Sequence, residues 1–288
     1  MIVADMKLAA TALSGLEKYE QDRILRVLAT AENGIVSEDG HTLGWVQFGV
    51  GPKLVLLHGI GLDHQSWVRL VPLLAPHFTV LAIDLPGHGA DAVPGPDDAE
   101  KTASIILGAC ARLGITRFAV CGVSFGGTVA LAMAVTRPSA IAHVGVVAGV
   151  ADGFPAATER SRLALAQGVA PQIAETLERW FIPEETSPQS WQVCYAHARL
   201  VRMKTQNWAA AWAALGASRL TPSLPGLESP VTLVSGALDR SVPPAAMSKL
   251  AEHLTKVEHH ILSGVAHQIA LSAPSDLADV ILRRMQHG

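Results

Sequence analysis

Cysteine is scarce in this chain: three residues in 288, Cys110, Cys121 and Cys194, an odd number whose spacing matches neither a disulfide framework nor a zinc site. That scarcity argues against a disulfide-stapled secreted scaffold and fits a reducing compartment, with each thiol packed as a small apolar group. Charge is sparse as well. Asp, Glu, Lys and Arg make up 16% of the residues, the formal net charge is −3 and the pI is near 6.4, so there is no basic block to follow a nucleic-acid backbone. No run of about eighteen apolar residues occurs, so no membrane-spanning helix is expected. Internal repeats and low-complexity tracts are missing too. What remains is 49% apolar, enough for a large core in one or two domains.

At the N-terminus, Met6-Lys7 and the stretch Leu8 to Leu16 carry a faint likeness to a signal peptide. The stretch is rich in Ala, Thr and Ser, and Glu17, Lys18 and Glu20 follow at once without a cleavage site. Leu13, Leu16, Ile24, Val27 and Leu28 instead fit one amphipathic helix. The expectation is a cytoplasmic protein with no membrane and no nucleic-acid partner.

Beyond residue 33 the pattern becomes regular. Gly34 to Ser37 and Thr42 to Phe48 flank the hairpin signal Asp39-Gly40. Apolar runs at Leu54–Leu57, Thr79–Ile83, Phe118–Gly122, Val144–Ala148, Val231–Ser235 and Val257–Leu262 read as strands. Helical stretches separate them at Gln65–Leu74, Ala99–Leu113, Thr128–Thr136, Pro244–Leu254 and after Pro274. Continuous strands alternating with helices predict an α/β fold, a mostly parallel sheet covered on both faces. Between Ala151 and Leu220 the strands stop and four of the six tryptophans appear, Trp180, Trp191, Trp208 and Trp212. The expected organisation is an N-terminal helical extension (1–33), a core (34–150 and 221–288) and an inserted helical cap (151–220).

Residues 122–126 read Gly-Val-Ser-Phe-Gly between an apolar strand and a helix, the sequence form of a nucleophile elbow. A serine hydroxyl is a weak nucleophile until a base takes its proton, and the base needs a partner to fix its tautomer. For an elbow serine the partners follow in the order acid, then histidine. Asp239 lies in the loop after the strand Val231–Ser235, and His267 in the loop after Val257–Leu262. Both fall at the carboxyl edge of the predicted sheet, with Ser124. Asp152, after the strand ending at Ala148, is a rival for the acid, and the sequence leaves that choice open.

A tetrahedral oxyanion needs two donors. Phe125, directly after the nucleophile, should supply one backbone N–H, and Ile60 in the loop His58-Gly59-Ile60-Gly61 the other. His58 and the turn Asp84-Leu85-Pro86-Gly87-His88-Gly89 are read as supports of this loop and of the strand end.

The segments HGIG (58–61), DLPGHG (84–89), GVSFGG (122–127), GALDR (236–240) and GVAHQ (264–268) together resemble the α/β-hydrolase superfamily, from about Gly34 onward. The resemblance implies an eight-stranded, mostly parallel sheet, a helical cap and a Ser-His-Asp triad at Ser124, His267 and Asp239. Within it, Leu177-Glu178-Arg179-Trp180-Phe181 and the overall length are similar to 3-oxoadipate enol-lactonases and related esterases. An N-terminal helix of about thirty residues departs from that pattern and is expected to contact a second copy in a homodimer or to support the cap.

The expected chemistry is hydrolysis of a small ester or lactone with no metal and no cofactor. Trp180 and Trp208, with Phe154 or Phe181, are candidates for an apolar substrate pocket. Arg199, Arg202, Lys204 and Arg219 occur between Ser190 and Leu220 with no acidic residue, a pattern that would suit a carboxylate-bearing substrate. Three alternatives share the triad: a C–C bond hydrolase of vinylogous diketones, a cofactor-free oxygenase or perhydrolase, and a ligand-binding receptor with a vestigial triad.

Overall fold

A computed structural model describes residues 13–187 and 190–285. Its eight strands are β1 (Glu32–Glu38), β2 (His41–Phe48), β3 (Lys53–Leu57), β4 (Thr79–Ile83), β5 (Phe118–Val123), β6 (Ile141–Val147), β7 (Val231–Gly236) and β8 (Val257–Leu262). They form one sheet in the order β1-β2-β4-β3-β5-β6-β7-β8. β1 and β2 pair antiparallel through a turn in which Asp39 (φ 47°) and Gly40 (φ 79°) both take positive φ, the geometry that Asp-Gly favours in a tight hairpin. β2 joins β4 antiparallel, and every later pair is parallel.

Burial explains the strand patterns. Residues of β4, β5 and β7 are buried throughout, because helices cover both faces of the central sheet. The edge strands β1 and β8 carry polar and exposed positions, and Glu258, His259 and His260 sit on β8. The apolar side chains divide into two clusters, one on each face of the sheet.

Two helical segments differ from the sequence pattern. The stretch 65–74 is a 3₁₀ turn, His64–Trp67, and a short helix, Val71–Leu74. Asp63 caps the first by accepting from the Gln65 N–H at 3.0 Å, and Pro72 removes the N–H that a continuous helix would require. At the N-terminus the single helix is also interrupted. A 3₁₀ turn at Leu13–Gly15 is followed by extended Glu17 (φ −61°, ψ 144°) and the helix Lys18–Leu28. The Gln21 side chain covers the Leu16 carbonyl at 2.7 Å, which satisfies the backbone at the break. Met6-Lys7 and the segment up to Ala12 lie outside the described residues. The helix Lys18–Leu28 is clamped to the core by Glu20, whose carboxylate accepts from Arg69 Nε at 2.6 Å while Arg69 Nη1 donates to the Leu271 carbonyl at 2.7 Å.

Between β6 and β7 the chain leaves the sheet and forms helices Pro155–Gln167, Ile173–Trp180, Trp191–Arg202 and Thr205–Ala217. This insertion sits over the carboxyl edge of the strands and is tied to it at several points. Tyr195 donates to Asp63 Oδ1 at 2.7 Å and Arg199 pairs with Asp63 Oδ2 at 2.9 Å. Asn207 donates to the Gly87 carbonyl at 2.8 Å, and the Trp180 carbonyl accepts from the N–H groups of His267 and Gln268 at 3.2 Å. Among the described residues no helix is long and apolar enough to cross a membrane.

Candidate active site

The chain turns from β5 into the helix Phe125–Thr136 at Ser124, which takes φ 55° and ψ −119°, a conformation L-residues rarely adopt. Such a residue costs about 1–3 kcal/mol and persists only where its surroundings enforce it. Here the enforcement is visible. The Ser124 N–H donates to Val147 O of β6 at 2.8 Å, and Ser124 O accepts from Gly127 and Thr128. A Cβ on Gly122 would stand 2.1 Å from the Gly126 carbonyl oxygen, and one on Gly126 would stand 2.3 Å from Leu57 O. The two flanking glycines are therefore demanded by close backbone approach, and they let the helix butt against β3.

His267 and Asp239 meet from two loops at the carboxyl edge of the sheet, as the sequence pattern predicts. His267 Nδ1 lies 2.8 Å from Asp239 Oδ2, and both side chains are buried. The other carboxylate oxygen, Oδ1, accepts from the N–H groups of Ser241 (2.7 Å) and Val242 (3.0 Å), so the acid is held at both ends. The hydrogen bond to Asp239 requires the proton on Nδ1, which leaves Nε2 as the basic nitrogen. Ser124 and His267 line one narrow cavity under the helical insertion. A direct Ser124–His267 hydrogen bond is not formed in this geometry; such pairs commonly tighten only when a substrate binds.

Asp152 is engaged elsewhere: its Oδ1 accepts from the Thr221 N–H at 3.0 Å, where the chain enters and leaves the insertion. The structure thus brings Asp239, and not Asp152, to the imidazole.

Ile60 lines the same cavity, and Gly59 packs so close to Ser124 that an added Cβ would touch the serine Cβ at 3.4 Å. The Phe125 N–H is the first of its helix and has no partner within it. The loop bearing Ile60 is fixed by His58, fully buried, whose Nε2 accepts from the Leu85 N–H at 2.9 Å while Nδ1 donates to the Gly59 carbonyl at 2.8 Å. Burial keeps the His58 imidazole below its usual range and hence neutral, as accepting a backbone N–H requires. His88, whose Nδ1 donates to the Pro86 carbonyl, is pushed down to about 3 by burial and by neighbouring His58.

Asp84 joins this loop to the next. It accepts from the backbone N–H and from Nδ1 of His64, both at 2.8 Å. Burial opposes the charge on both partners, yet their mutual attraction and hydrogen bonds win: His64 rises to about 9 and Asp84 falls to about 2. The His64 contribution is complete below its unfolded value near 6.5 and is lost as pH rises through about 9; the Asp84 contribution is lost as pH falls through about 2. Between those limits the pair is charged on both sides. Stability measured by urea unfolding should therefore drop by about 2–3 kcal/mol more between neutral pH and pH near 9.5 in the parent protein than in His64→Gln. Equal slopes in the two proteins would contradict the assignment.

Trp180 lines the cavity as expected, with Ile60, Phe154, Trp212 and Leu215. Trp208 does not. It is fully buried behind the wall, its ring packed where Gly61 leaves room (an added Cβ would lie 2.6 Å away) and edge-on to Trp212 at 5.7 Å. Phe181 is likewise buried away from the cavity. The cationic stretch 190–220 is corrected too. Arg199 is paired with Asp63 and Gln65, Arg219 donates to the Gly216 and Ser218 carbonyls, and Arg202 and Lys204 are exposed. None of the four lines the cavity, whereas Arg160 and Arg179, which the charge pattern did not single out, do.

The sheet order, the elbow and the paired His267–Asp239 define an α/β-hydrolase architecture. A family model for the alpha/beta hydrolase fold matches residues 52–274, and the chain belongs to that family. It is 29% identical over 258 residues to a pimeloyl-[acyl-carrier protein] methyl ester esterase of Aeromonas hydrophila, covering 82% of this chain and 96% of the relative. It is 26% identical over 222 residues to a 3-oxoadipate enol-lactonase of Acinetobacter baylyi, covering 74% of this chain and 81% of that protein. Among solved structures, the enol-lactonase from Burkholderia xenovorans superposes with a TM-score of 0.82 at 25% identity, over 87% of this chain and 98% of the other.

Proposed function

We propose that this chain is a serine hydrolase that cleaves a small carboxylic ester or lactone through an acyl-enzyme. The observation that carries the reading is the buried His267–Asp239 hydrogen bond at 2.8 Å, opening onto the same cavity as a serine held in a strained elbow. The relatives named as a methyl ester esterase and an enol-lactonase support the same bond class.

In the proposed mechanism, Ser124 Oγ attacks the carbonyl carbon while His267 Nε2 takes its proton. Asp239, anchored by two backbone N–H groups, stabilises the imidazolium and holds its ring. The N–H groups of Phe125 and Ile60 receive the oxyanion. His267 then gives the proton to the leaving alkoxide, and a water activated by the same nitrogen hydrolyses the acyl-enzyme to release the acid. For a lactone, the leaving oxygen stays attached and the product is one hydroxy or keto acid. The helical insertion, residues 151–220, acts as a cap that shapes the acyl pocket with Trp180, Trp212 and Phe154. The segment clamped through Glu20 and Arg69 serves as an N-terminal brace of the core.

The test uses a shared intermediate. Aryl esters with the same acyl group and different leaving groups are hydrolysed in dilute methanol, and the ratio of methyl ester to acid is measured. A constant ratio is expected, because one acyl-enzyme partitions between methanol and water. A ratio that follows the leaving group would contradict a covalent intermediate.

A further inference from the structure

The loop that carries the proposed oxyanion donor Ile60 is held from two sides. Toward the core, His58 binds the Gly59 carbonyl and the Leu85 N–H, and His64 pairs with Asp84. Toward the insertion, the helices Trp191–Arg202 and Thr205–Ala217 bear directly on it. A Cβ on Gly61 (φ 81°), the residue after Ile60, would stand 2.7 Å from Leu200 Cδ2 and 2.6 Å from Trp208 Cζ3. Two residues further on, the buried Asp63 carboxylate receives three donors: the Gln65 N–H at 3.0 Å, the Tyr195 hydroxyl at 2.7 Å and Arg199 Nη1 at 2.9 Å. Arg199 Nη2 also donates to Gln65 Oε1 at 2.8 Å, and Trp191 stacks on the Tyr195 ring at 5.3 Å. One face of the insertion therefore touches the loop at Gly61, Asp63 and Gln65.

The chemistry of this junction suits a contact that is made and broken. A buried carboxylate–guanidinium pair gains little net stability over an apolar contact of the same shape, because both ions are stripped of water. Once separated, however, both ends hydrate readily, whereas parted apolar faces stay costly to expose. The pair also fixes direction, since charge-assisted hydrogen bonds hold only in a narrow geometry. The active-site cavity gives a reason for the contact to break. Its free volume is about 20 Å³, room for one water molecule, and Phe154, Trp180, Trp212 and Leu215 of the insertion form much of its wall.

We propose that Asp63, Tyr195 and Arg199 are positioning residues that couple closure of the insertion over a bound ester to the placement of the Ile60 N–H. This rests on the serine-hydrolase reading and adds a condition to it: the oxyanion hole is complete only with the insertion seated. When the insertion lifts to admit substrate, Tyr195 and Arg199 leave Asp63, Leu200 and Trp208 leave Gly61, and the loop keeps only its bonds to the core. When it closes, the same contacts set the loop back, and the Ile60 N–H meets the developing oxyanion. An ester that cannot hold the insertion down is bound but turned over slowly, so selection falls on kcat as well as on affinity.

The test uses Tyr195→Phe and Arg199→Gln with two inhibitors of one shape. An alkyl trifluoromethyl ketone is attacked by the serine and becomes a tetrahedral oxyanion; the matching methyl ketone binds without being attacked. Each variant should lower kcat by about ten- to a hundredfold, with KM within about threefold of the parent. Inhibition by the trifluoromethyl ketone should weaken by the same factor as kcat/KM, and inhibition by the methyl ketone should not change, because only the oxyanion has lost its donor. Arg199→Lys, which keeps a cation opposite Asp63, should recover part of the loss. A contact that merely stabilised the fold would lower the unfolding temperature and leave the ratio of the two inhibition constants at the parent value. That ratio unchanged in both variants would overturn the proposal, and so would a rise in KM with kcat intact. Tyr195→Phe removes a single oxygen, so it decides the matter even where Arg199→Gln fails to fold. The hydrolase reading is judged separately: it fails if Ser124→Ala turns over esters as the parent does, whatever the two variants show.

Discussion

Ser124→Ala should lower kcat on a nitrophenyl ester by about 10⁵–10⁶-fold, while the protein should unfold at nearly the parent temperature. The magnitude follows from the architecture. With no hydroxyl, His267 and Asp239 have nothing to activate toward covalent attack, and only the oxyanion donors and binding remain to help water react. The fold has little reason to notice the change. The bend is imposed by the Ser124 N–H bond to Val147 and by the closeness of Gly122, Gly126 and Leu57, none of which involves the hydroxyl. Measuring activity and thermal unfolding together separates the two effects; activity within about a hundredfold of the parent would be incompatible with the triad.

The second large effect distinguishes two acids. Asp239→Asn should lower kcat by about 10⁴-fold, because an amide can present its N–H to His267 Nδ1 and force the ring proton onto Nε2. In that tautomer the nitrogen facing the cavity cannot accept the serine proton. The Asn carbonyl oxygen can still take the Ser241 and Val242 N–H groups, so the loop should persist. Asp152→Asn keeps an acceptor for the Thr221 N–H at the root of the insertion, and its kcat should stay within about threefold. Steady-state kinetics on one ester separates the two. A larger loss at Asp152 than at Asp239 would reverse the assignment.

Much of this was legible in the sequence because it is local. Unbroken apolar runs such as Thr79–Ile83 mark strands buried on both faces, and Asp39-Gly40 dictates a hairpin. Gly-Val-Ser-Phe-Gly is readable because a tight strand-to-helix turn leaves room for few other residues. What was not legible depends on tertiary neighbours. Whether His267 faces Asp239 or Asp152 is settled by which loops meet at the sheet edge, and the sequence holds both carboxylates at strand ends. Trp208 and Trp212 are four residues apart on one face of one helix, yet one backs the wall and the other lines the cavity, a difference of one turn along the helix axis that composition does not encode. A stretch lacking acids pointed to Arg199 and its neighbours, but Asp63, more than a hundred residues earlier, neutralises Arg199. Arg160 and Arg179 sit beside Glu159 and Glu178 in the chain, and only the fold shows that the two arginines share a cavity while Glu159 pairs with Arg162 and Glu175 with Arg179. The break after the 3₁₀ turn His64–Trp67 is written in Pro72, a local signal of the same kind as the hairpin.

Covalent capture of the nucleophile bears on the triad without any assumption about substrate. Intact mass and peptide mapping after treatment with a fluorophosphonate ester should show one adduct per chain, on Ser124, formed in step with loss of ester hydrolysis. The Ser124→Ala protein should take up none under the same conditions. A parent enzyme that stays unlabelled and fully active, or an adduct on another residue that tracks the loss of activity, would contradict it.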